Sequence, residues 1–330
     1  MHRFLFQIPY RFCLAVSLAV IAMLAPLAPA LAATDMALKP IQVSPHVYYF
    51  QGEPGMASAA NKGFMSNAGF VVTADGVVVF DALATPALGE AMLTAIAAVT
   101  PQPVKLVVIS HYHADHFYGL QAFKARGAQV WAHANGNVTL HSDLTQERLA
   151  QRRTDLAPWV NQQTRLVPAD RWLDFTQDNT ISFTMGGMHF RLIDSSGAHS
   201  PEDIMMYVDE ERVLFAGDLF FTGRIPFVGG ADSKVWLHAL ERMLATDPVV
   251  VIPGHGKMSS QPLKDMQLTR DYLIFLRQQM GAAVNDLTPF EEAYDKVDWS
   301  RFEQYPAFRD ANRINAYGTY LLMEKESLAK

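Results

Sequence analysis

Residues 110–120 read SHYHADHFYGL, directly after the apolar run VKLVVI (104–109). Three histidines and an aspartate fall within six positions, in a chain with 11 histidines among 330 residues. At such frequencies the spacing His-x-His-x-Asp-His is expected in about one chain of this length in a thousand, which favours a built site over chance. In an extended backbone, residues two apart share a face, so His111 and His113 can grip one ion together. Asp115 and His116 follow where the chain must bend before its next helix, and they can face a second ion beside the first. Imidazole and carboxylate donors suit a borderline cation such as zinc, and also iron or manganese.

Three further positions share this context, each after a strand-like run and each near glycine. They are His199 in SSGAHSPED (195–203), Asp218 in VLFAGDLFF (213–221) and His255 in VIPGHG (251–256). Glycine lets the backbone approach closely and turn sharply. A single strand-end histidine reads as structural. Three such residues, in a chain that already holds the 111–116 cluster, read as ligands.

The wider pattern supplies a scaffold. Residues 41–80 are strand-like throughout, and Asp75-Gly76 between AGFVVTA and VVVFDA predicts a hairpin. The loop GEPGMASAANKGFMSN (52–67) reads either as surface or as a flap over a site. Helical segments are expected at TPALGEAMLTAIAAV, LQAFKARG, 144–156 and VWLHALERMLA, with Gly127 suited to a helix end. Strands are expected at KLVVIS, VWAHA, MHFRLIDS and VVVIP, with a hairpin turning at 209–211. After residue 260 only helical patterns remain. Strands and helices interleave in two similar halves, which predicts an α/β layered fold. The boundaries read as 33–259 for the domain and 260–330 for a helical extension.

Composition is globular, with 50% apolar and 18% charged residues and a formal net charge of −6. No basic run occurs, so nucleic acid is not an expected partner; a small-molecule substrate is. Arg3 and Arg11 precede the apolar stretch 12–24, and PLAPALAA follows. This is the pattern of a secretory signal peptide over residues 1–32, with cleavage near Ala32 or Ala33. The stretch falls short of the roughly 20 residues of a membrane span, so no anchor is expected after cleavage, and the periplasm or secretion is the expected destination. Cleavage removes Cys13, the only cysteine. Any metal site in the mature chain must then rely on histidine and carboxylate.

The motifs SHYHADH, SGAHS, FAGDLF and IPGHG, in this order over residues 41–260, resemble those of metallo-β-lactamase-fold hydrolases. The resemblance implies an αβ/βα four-layer sandwich with its metals at one edge. It implies two Zn2+ per chain: His111, His113 and His199 hold the first, Asp115, His116 and His255 the second, and Asp218 bridges both. An acid at Asp218 and the lack of a cysteine ligand look more like glyoxalase II and related ester or thioester hydrolases than like true β-lactamases. The layout as a whole is most similar to the SoxH-like periplasmic metallohydrolases, which include the quinoprotein relay system zinc metallohydrolases. The helical tail departs from the glyoxalase II pattern.

The activity implied is metal-dependent hydrolysis of an ester, thioester or amide-type bond, with Asp115 and Asp218 as catalytic carboxylates and weak β-lactam hydrolysis as a side activity. Two other readings use the same motifs: sulfur dioxygenation with a single iron, and a non-catalytic periplasmic accessory of a redox system. Asp81, at the end of VVVF, is read either as an acid orienting a ligand histidine, as in the family, or as a loop acid. Ser110 either does similar work or only ends its strand. Tyr112, between two ligands, is expected to line the cleft. Arg224, in TGRIPFVGG, pairs either with an anionic substrate or with a structural acid.

Overall fold

The computed structural model describes residues 1–2 and 36–329, so the signal-peptide reading of residues 1–32 lies almost wholly outside the described residues. Strands β1 (Ile41–Gln42), β2 (Val47–Phe50), β3 (Ala68–Thr73) and β4 (Gly76–Phe80) form an antiparallel meander. Helix α1 (Pro86–Val99) returns the chain, and β5 (Val104–Val108) pairs in parallel with β4. Short helices α2 (Ala114–Phe117) and α3 (Leu120–Ala125) lead to the parallel strand β6 (Gln129–His133). Helices α4 (Gly136–Leu140) and α5 (Asp143–Asp155) then lead to β7 (Arg171–Leu173), which closes a seven-stranded sheet in chain order.

A second sheet has five strands in the order β12-β11-β10-β9-β8. Its strands β8 (Thr180–Met185), β9 (Met188–Asp194), β10 (Ile204–Val208) and β11 (Val213–Phe215) are antiparallel neighbours. Helix α6 (Ser233–Ala245) carries the chain back so that β12 (Val250–Ile252) lies parallel to β11. Four helices follow: α7 (Pro262–Asp265), α8 (Gln267–Asn285), α9 (Phe290–Lys296) and α10 (Phe308–Leu328). No described helix is long and apolar enough to cross a membrane.

Period-two alternation explains why the sheets stack. On β4 and β5, Val78, Phe80, Leu106 and Val108 point one way and pack against Ile204, Met206, Val213 and Phe215 of the other sheet. Their neighbours Val77, Val79 and Val107 point the opposite way, onto Leu88, Met92 and Ile96 of α1 and Phe123 of α3. The second sheet does the same, with Met205, Tyr207 and Leu214 facing Trp236 and Leu240 of α6 and Tyr272 and Leu276 of α8. Strands covered on both faces must be apolar along their whole length, as GVVVF is. Each such side chain contributes about 1.5–3 kcal/mol by leaving water. The result is the αβ/βα four-layer sandwich, and α8 and α10 continue its outer layer, with Tyr272, Leu276 and Ala316 in the same core as Trp236 of α6.

Local differences from the sequence reading have simple causes. The run 41–50 is two strands, because Val43-Ser44-Pro45-His46 turns and Ile41 pairs back onto Tyr49. Strands β7 and β8 escape the sequence reading because they are short or half-exposed: β8 is nowhere fully buried.

Phe215 bridges the sheets, buried to 1% exposure with its ring 5.4 Å from that of Phe80. Phe215→Ala should lower unfolding free energy by about 3–5 kcal/mol, as judged from urea midpoints at unchanged slope.

Candidate metal centre

Four strand ends deliver the polar side chains to one place. Beyond β5 the chain bends at Ser110, and His113, extended at φ −81°, ψ 144°, opens α2. His111 and His113 share a face, while Asp115 and His116 ride on the first turn of α2. His199 lies in the turn after β9, where Ser200 N–H and Oγ both donate to the Asp203 carboxylate at 2.7 Å. Asp218 sits in a tight 3-10 turn after β11, entered through Gly217 at φ +53°. His255 follows β12. There Gly254 lies so close to Asp218 that a Cβ would stand 2.1 Å from its Oδ1.

Two groups of donor atoms result. One is His111, His113, His199 and Asp218; the other is Asp115, His116 and His255, and within each group the donor atoms lie within 4.8 Å of one another. Asp218 serves both. Its Oδ2 is 3.4 Å from His199 Nε2 and 4.0 Å from His111 Nε2, while its Oδ1 is 3.1 Å from His116 Nε2 and 3.3 Å from His255 Nε2. Asp115 Oδ2 completes the second group, 3.3 Å from His255 Nε2 and 3.5 Å from His116 Nε2. His113 and Asp115 are the half-buried members and the others are buried, so solvent reaches the centre from the α2 side.

The outward nitrogens set the tautomers. His116 Nδ1 lies 2.9 Å from Asp81 Oδ2, and His255 Nδ1 lies 2.8 Å from the Met65 carbonyl. Both partners only accept, so Nδ1 keeps its proton and Nε2 is the nitrogen that faces the centre, free to bind a cation once it gives up its own proton. Ser110 Oγ donates to Asp81 Oδ2 at 2.8 Å, which leaves it to accept from His111 Nδ1 at 2.9 Å. Ser110 N–H also donates to Asp81 Oδ1 at 2.7 Å. Asp81 thus orients two of the imidazoles from a buried position in left-handed backbone at φ +62°. Such a costly conformation in a non-glycine residue persists where its surroundings enforce it.

These side chains suit a cation. His111 Nε2, His116 Nε2 and Asp218 Oδ1 are buried without a hydrogen-bond partner. His116 Nε2 and Asp218 Oδ1 nevertheless approach to 3.1 Å, so the two groups converge on a shared point rather than aim at each other. Lone pairs and carboxylates gathered this closely out of water are stable around positive charge. Nitrogen and carboxylate oxygen donors fit zinc, manganese or iron.

Electrostatics separate the two groups. Burial, followed by the neighbouring His116 and His113, holds His111 well below the usual imidazole range. Burial and His199 bring His113 down to about 3, and burial lowers His199 as well. Burial opposes charge on His116 too, but Asp218, Asp115 and Asp81 outweigh it and hold His116 well above its usual value. Asp218 likewise outweighs burial at His255 and raises it. Asp115 and Asp218 stay ionised despite burial, chiefly through His116 and His255.

The other residues singled out from sequence fall differently. Tyr112 does not line the cleft. Strand alternation turns it away from its two neighbours, into the core against Phe117 and Trp172. Arg224 is buried behind His255, its Nη1 3.3 Å from His255 Nδ1 and 3.4 Å from the Gly55 carbonyl. Its neighbours there are carbonyls, a thioether and an imidazole, and no carboxylate pairs with it among the described residues. Glu202 carries no motif signal in the sequence, yet its Oε1 accepts from Tyr112 N–H at 3.2 Å and its Oε2 accepts from Thr139 Oγ1 at 2.8 Å. Asp203 likewise has only its place at the end of the His199 motif to mark it, and it accepts both Ser200 bonds.

A family profile described as "Metallo-beta-lactamase superfamily" matches residues 61–255. A linear primary-alkylsulfatase of Pseudomonas sp. is 22% identical over 260 residues, which is 68% of this chain and 48% of that protein. Hydroxyacylglutathione hydrolase GloC of Haemophilus influenzae is 27% identical over 163 residues, 48% of this chain and 71% of the relative. Among solved structures, a stereoselective inverting sec-alkylsulfatase from Pseudomonas sp. matches 86% of this chain and 50% of its own, with TM-score 0.66 and 18% identity. A metallo-beta-lactamase from Pontibacter korlensis matches 72% of this chain and 99% of its own, with TM-score 0.55 and 22% identity. At these identities the structures testify to the fold. The chain spans about half the length of the first curated relatives it matches.

Protons compete with cations for these side chains. At His116 and His255 the raised pKa means that protons must be displaced, so lower pH weakens cation binding there; His111, His113 and His199 are already proton-free near neutrality. Titrating from about pH 8 to about pH 6 should therefore weaken the second group's affinity steeply and leave the first nearly constant, read by isothermal calorimetry.

Proposed function

This chain belongs to the metallo-beta-lactamase superfamily, and we propose that it is a di-zinc hydrolase of ester-type bonds: carboxylic esters, thioesters or sulfate esters, with amides as weaker substrates. The observation that carries this reading is the split carboxylate of Asp218, one oxygen toward each donor group. A single-iron oxygenase would leave the second group without a task. The names of the relatives, an alkylsulfatase and a hydroxyacylglutathione hydrolase, support a hydrolytic ester or thioester chemistry.

In this reading His111, His113, His199 and Asp218 would hold one zinc, and Asp115, His116 and His255, with Asp218 beside them, would hold the other. Zinc supplies Lewis acidity and brings the pKa of water from 15.7 to about 7. The chain's own residues do the rest. Asp115, with 18% of its side chain exposed, is the inward carboxylate that substrate and water meet first. It orients the attacking water and accepts its proton. Asp218, buried and ionised, fixes the spacing of the two groups. Asp81 and Ser110 hold His116 and His111 with Nε2 inward, so neither of these imidazoles must reorient during turnover. No serine or cysteine nucleophile is required.

Export belongs to the same proposal and rests on the N-terminal sequence. Cell fractionation, with N-terminal sequencing near Ala32 or Ala33, tests it.

A panel of aryl carboxylates, thioesters, alkyl and aryl sulfates and lactams, assayed with zinc-loaded protein, tests the activity. Turnover should vanish with chelator and return with zinc. Asp218→Ala should cut kcat/KM by at least about 100-fold on the best substrate, since a buried charge-stabilising group is lost. A variant with the full rate and two bound zincs would overturn the assignment of Asp218.

A further inference from the structure

The loop that the sequence marks as a possible flap, residues 52–67, returns to the sheet through Met65-Ser66-Asn67. Each of these residues reaches the second donor group. The Met65 carbonyl accepts from His255 Nδ1 at 2.8 Å. Ser66 Oγ donates to the backbone carbonyl of Asp115. Asn67 is buried, and its amide is fully engaged: Nδ2 donates to the carbonyls of Pro253 and Gly256, both at 2.8 Å, and Oδ1 accepts from Gly52 N–H at 2.9 Å. Its own N–H donates to the Gly254 carbonyl at 2.7 Å. One side chain therefore grips the turn on both sides of His255 and also the first residue of the loop. The far side of that turn is tied down as well, since Gly254 N–H donates to the Gly217 carbonyl at 2.7 Å, beside Asp218.

We propose that Asn67, assisted by Ser66, is the positioning residue of the second donor group, and that through it the 52–65 loop and cation binding by Asp115, His116 and His255 are coupled. The inference rests on the reading that this group holds a cation. Asn67 touches neither cation nor substrate. It acts by holding the His255 turn at the place where Nε2 meets the carboxylates of Asp115 and Asp218. In the first group Ser110 holds His111 and Asp203 holds the His199 turn, and Asn67 touches neither; only the shared Asp218 adjoins the turn that Asn67 holds, so loss of Asn67 acts chiefly on the second group. Coupling is reciprocal by thermodynamic necessity. A cation that stiffens the His255 turn also steadies Gly52 and the base of the loop, where Glu53 N–H donates to the Phe64 carbonyl at 3.0 Å.

The test uses the full chain and zinc. Asn67→Ala removes all three side-chain bonds; Asn67→Asp keeps the acceptor for Gly52 but loses both donors to the turn; Ser66→Ala removes one peripheral bond. Zinc titration by calorimetry should show two affinities in the parent protein. In both Asn67 variants the site that His255→Ala also weakens should lose roughly 10–100-fold while the other site stays within about 2-fold. Ser66→Ala should show the same pattern, more mildly. Hydrogen exchange supplies a reading apart from catalysis. Saturating zinc should slow exchange at Gly52 and Glu53 in the parent protein, and that slowing should be lost in Asn67→Asp. If Asn67→Ala yields no folded protein, the other two variants carry the same expectations. Equal weakening of both sites, unchanged affinities, or zinc-dependent slowing that survives Asn67→Asp would each overturn the proposal. A parent protein that binds one zinc only would instead sink the two-cation reading. Exchange at Gly254 and His255 in the metal-free variants, expected to be faster than in the parent, would still decide whether Asn67 holds the turn.

Discussion

The fold closes around the carboxylate of Asp218. It is buried, it is ionised, and its two oxygens face different imidazoles, His199 and His111 on one side and His116 and His255 on the other. An isolated carboxylate in such a place costs several kcal/mol. It is tolerable only where positive charge or inward donors surround it. That requirement fixes the neighbours: glycine at 217 to make the turn, glycine at 254 to leave room, and histidines on three other strand ends.

The sandwich meets this requirement because apolar strands end where helices begin. β5, β9, β11 and β12 are held rigidly between two layers, and each releases its chain at the same edge. Short-range geometry then does the aiming. The stretch before α2 gives His111 and His113 a common direction, and one helical turn swings Asp115 and His116 toward the neighbouring position. A small error in either would separate donor atoms that now converge within a few ångströms.

Around the donors lies a layer of uncharged or singly charged partners that decides their orientation. Asp81 and Ser110 serve the 111–116 segment, Asp203 serves the His199 turn, and Asn67 serves the His255 turn. Asp81 and Asn67 come from segments distant in sequence, whereas Ser110 directly precedes His111 and Asp203 closes the turn that carries His199. This layer fixes the orientation of the donors it touches.

Much of this was legible in the sequence. The run SHYHADH exposes itself because strand periodicity and helix periodicity act on adjacent residues. The motifs at 199, 218 and 255 are visible because tight strand-end turns need glycine close by. The layered fold follows from apolar runs such as GVVVF that only a doubly covered strand can hold. The tertiary structure alone decided the rest. Tyr112 sits between two inward histidines yet faces the core, a matter of which side of the strand end is covered. Arg224 has no carboxylate paired with it among the described residues, so the structural-acid alternative of its sequence reading finds no partner there. Asn67 looks like any polar loop residue, because its importance comes from carbonyls nearly two hundred positions away. Local chemistry is written in neighbouring residues; hydrogen bonds between distant turns exist only once the sheets have stacked.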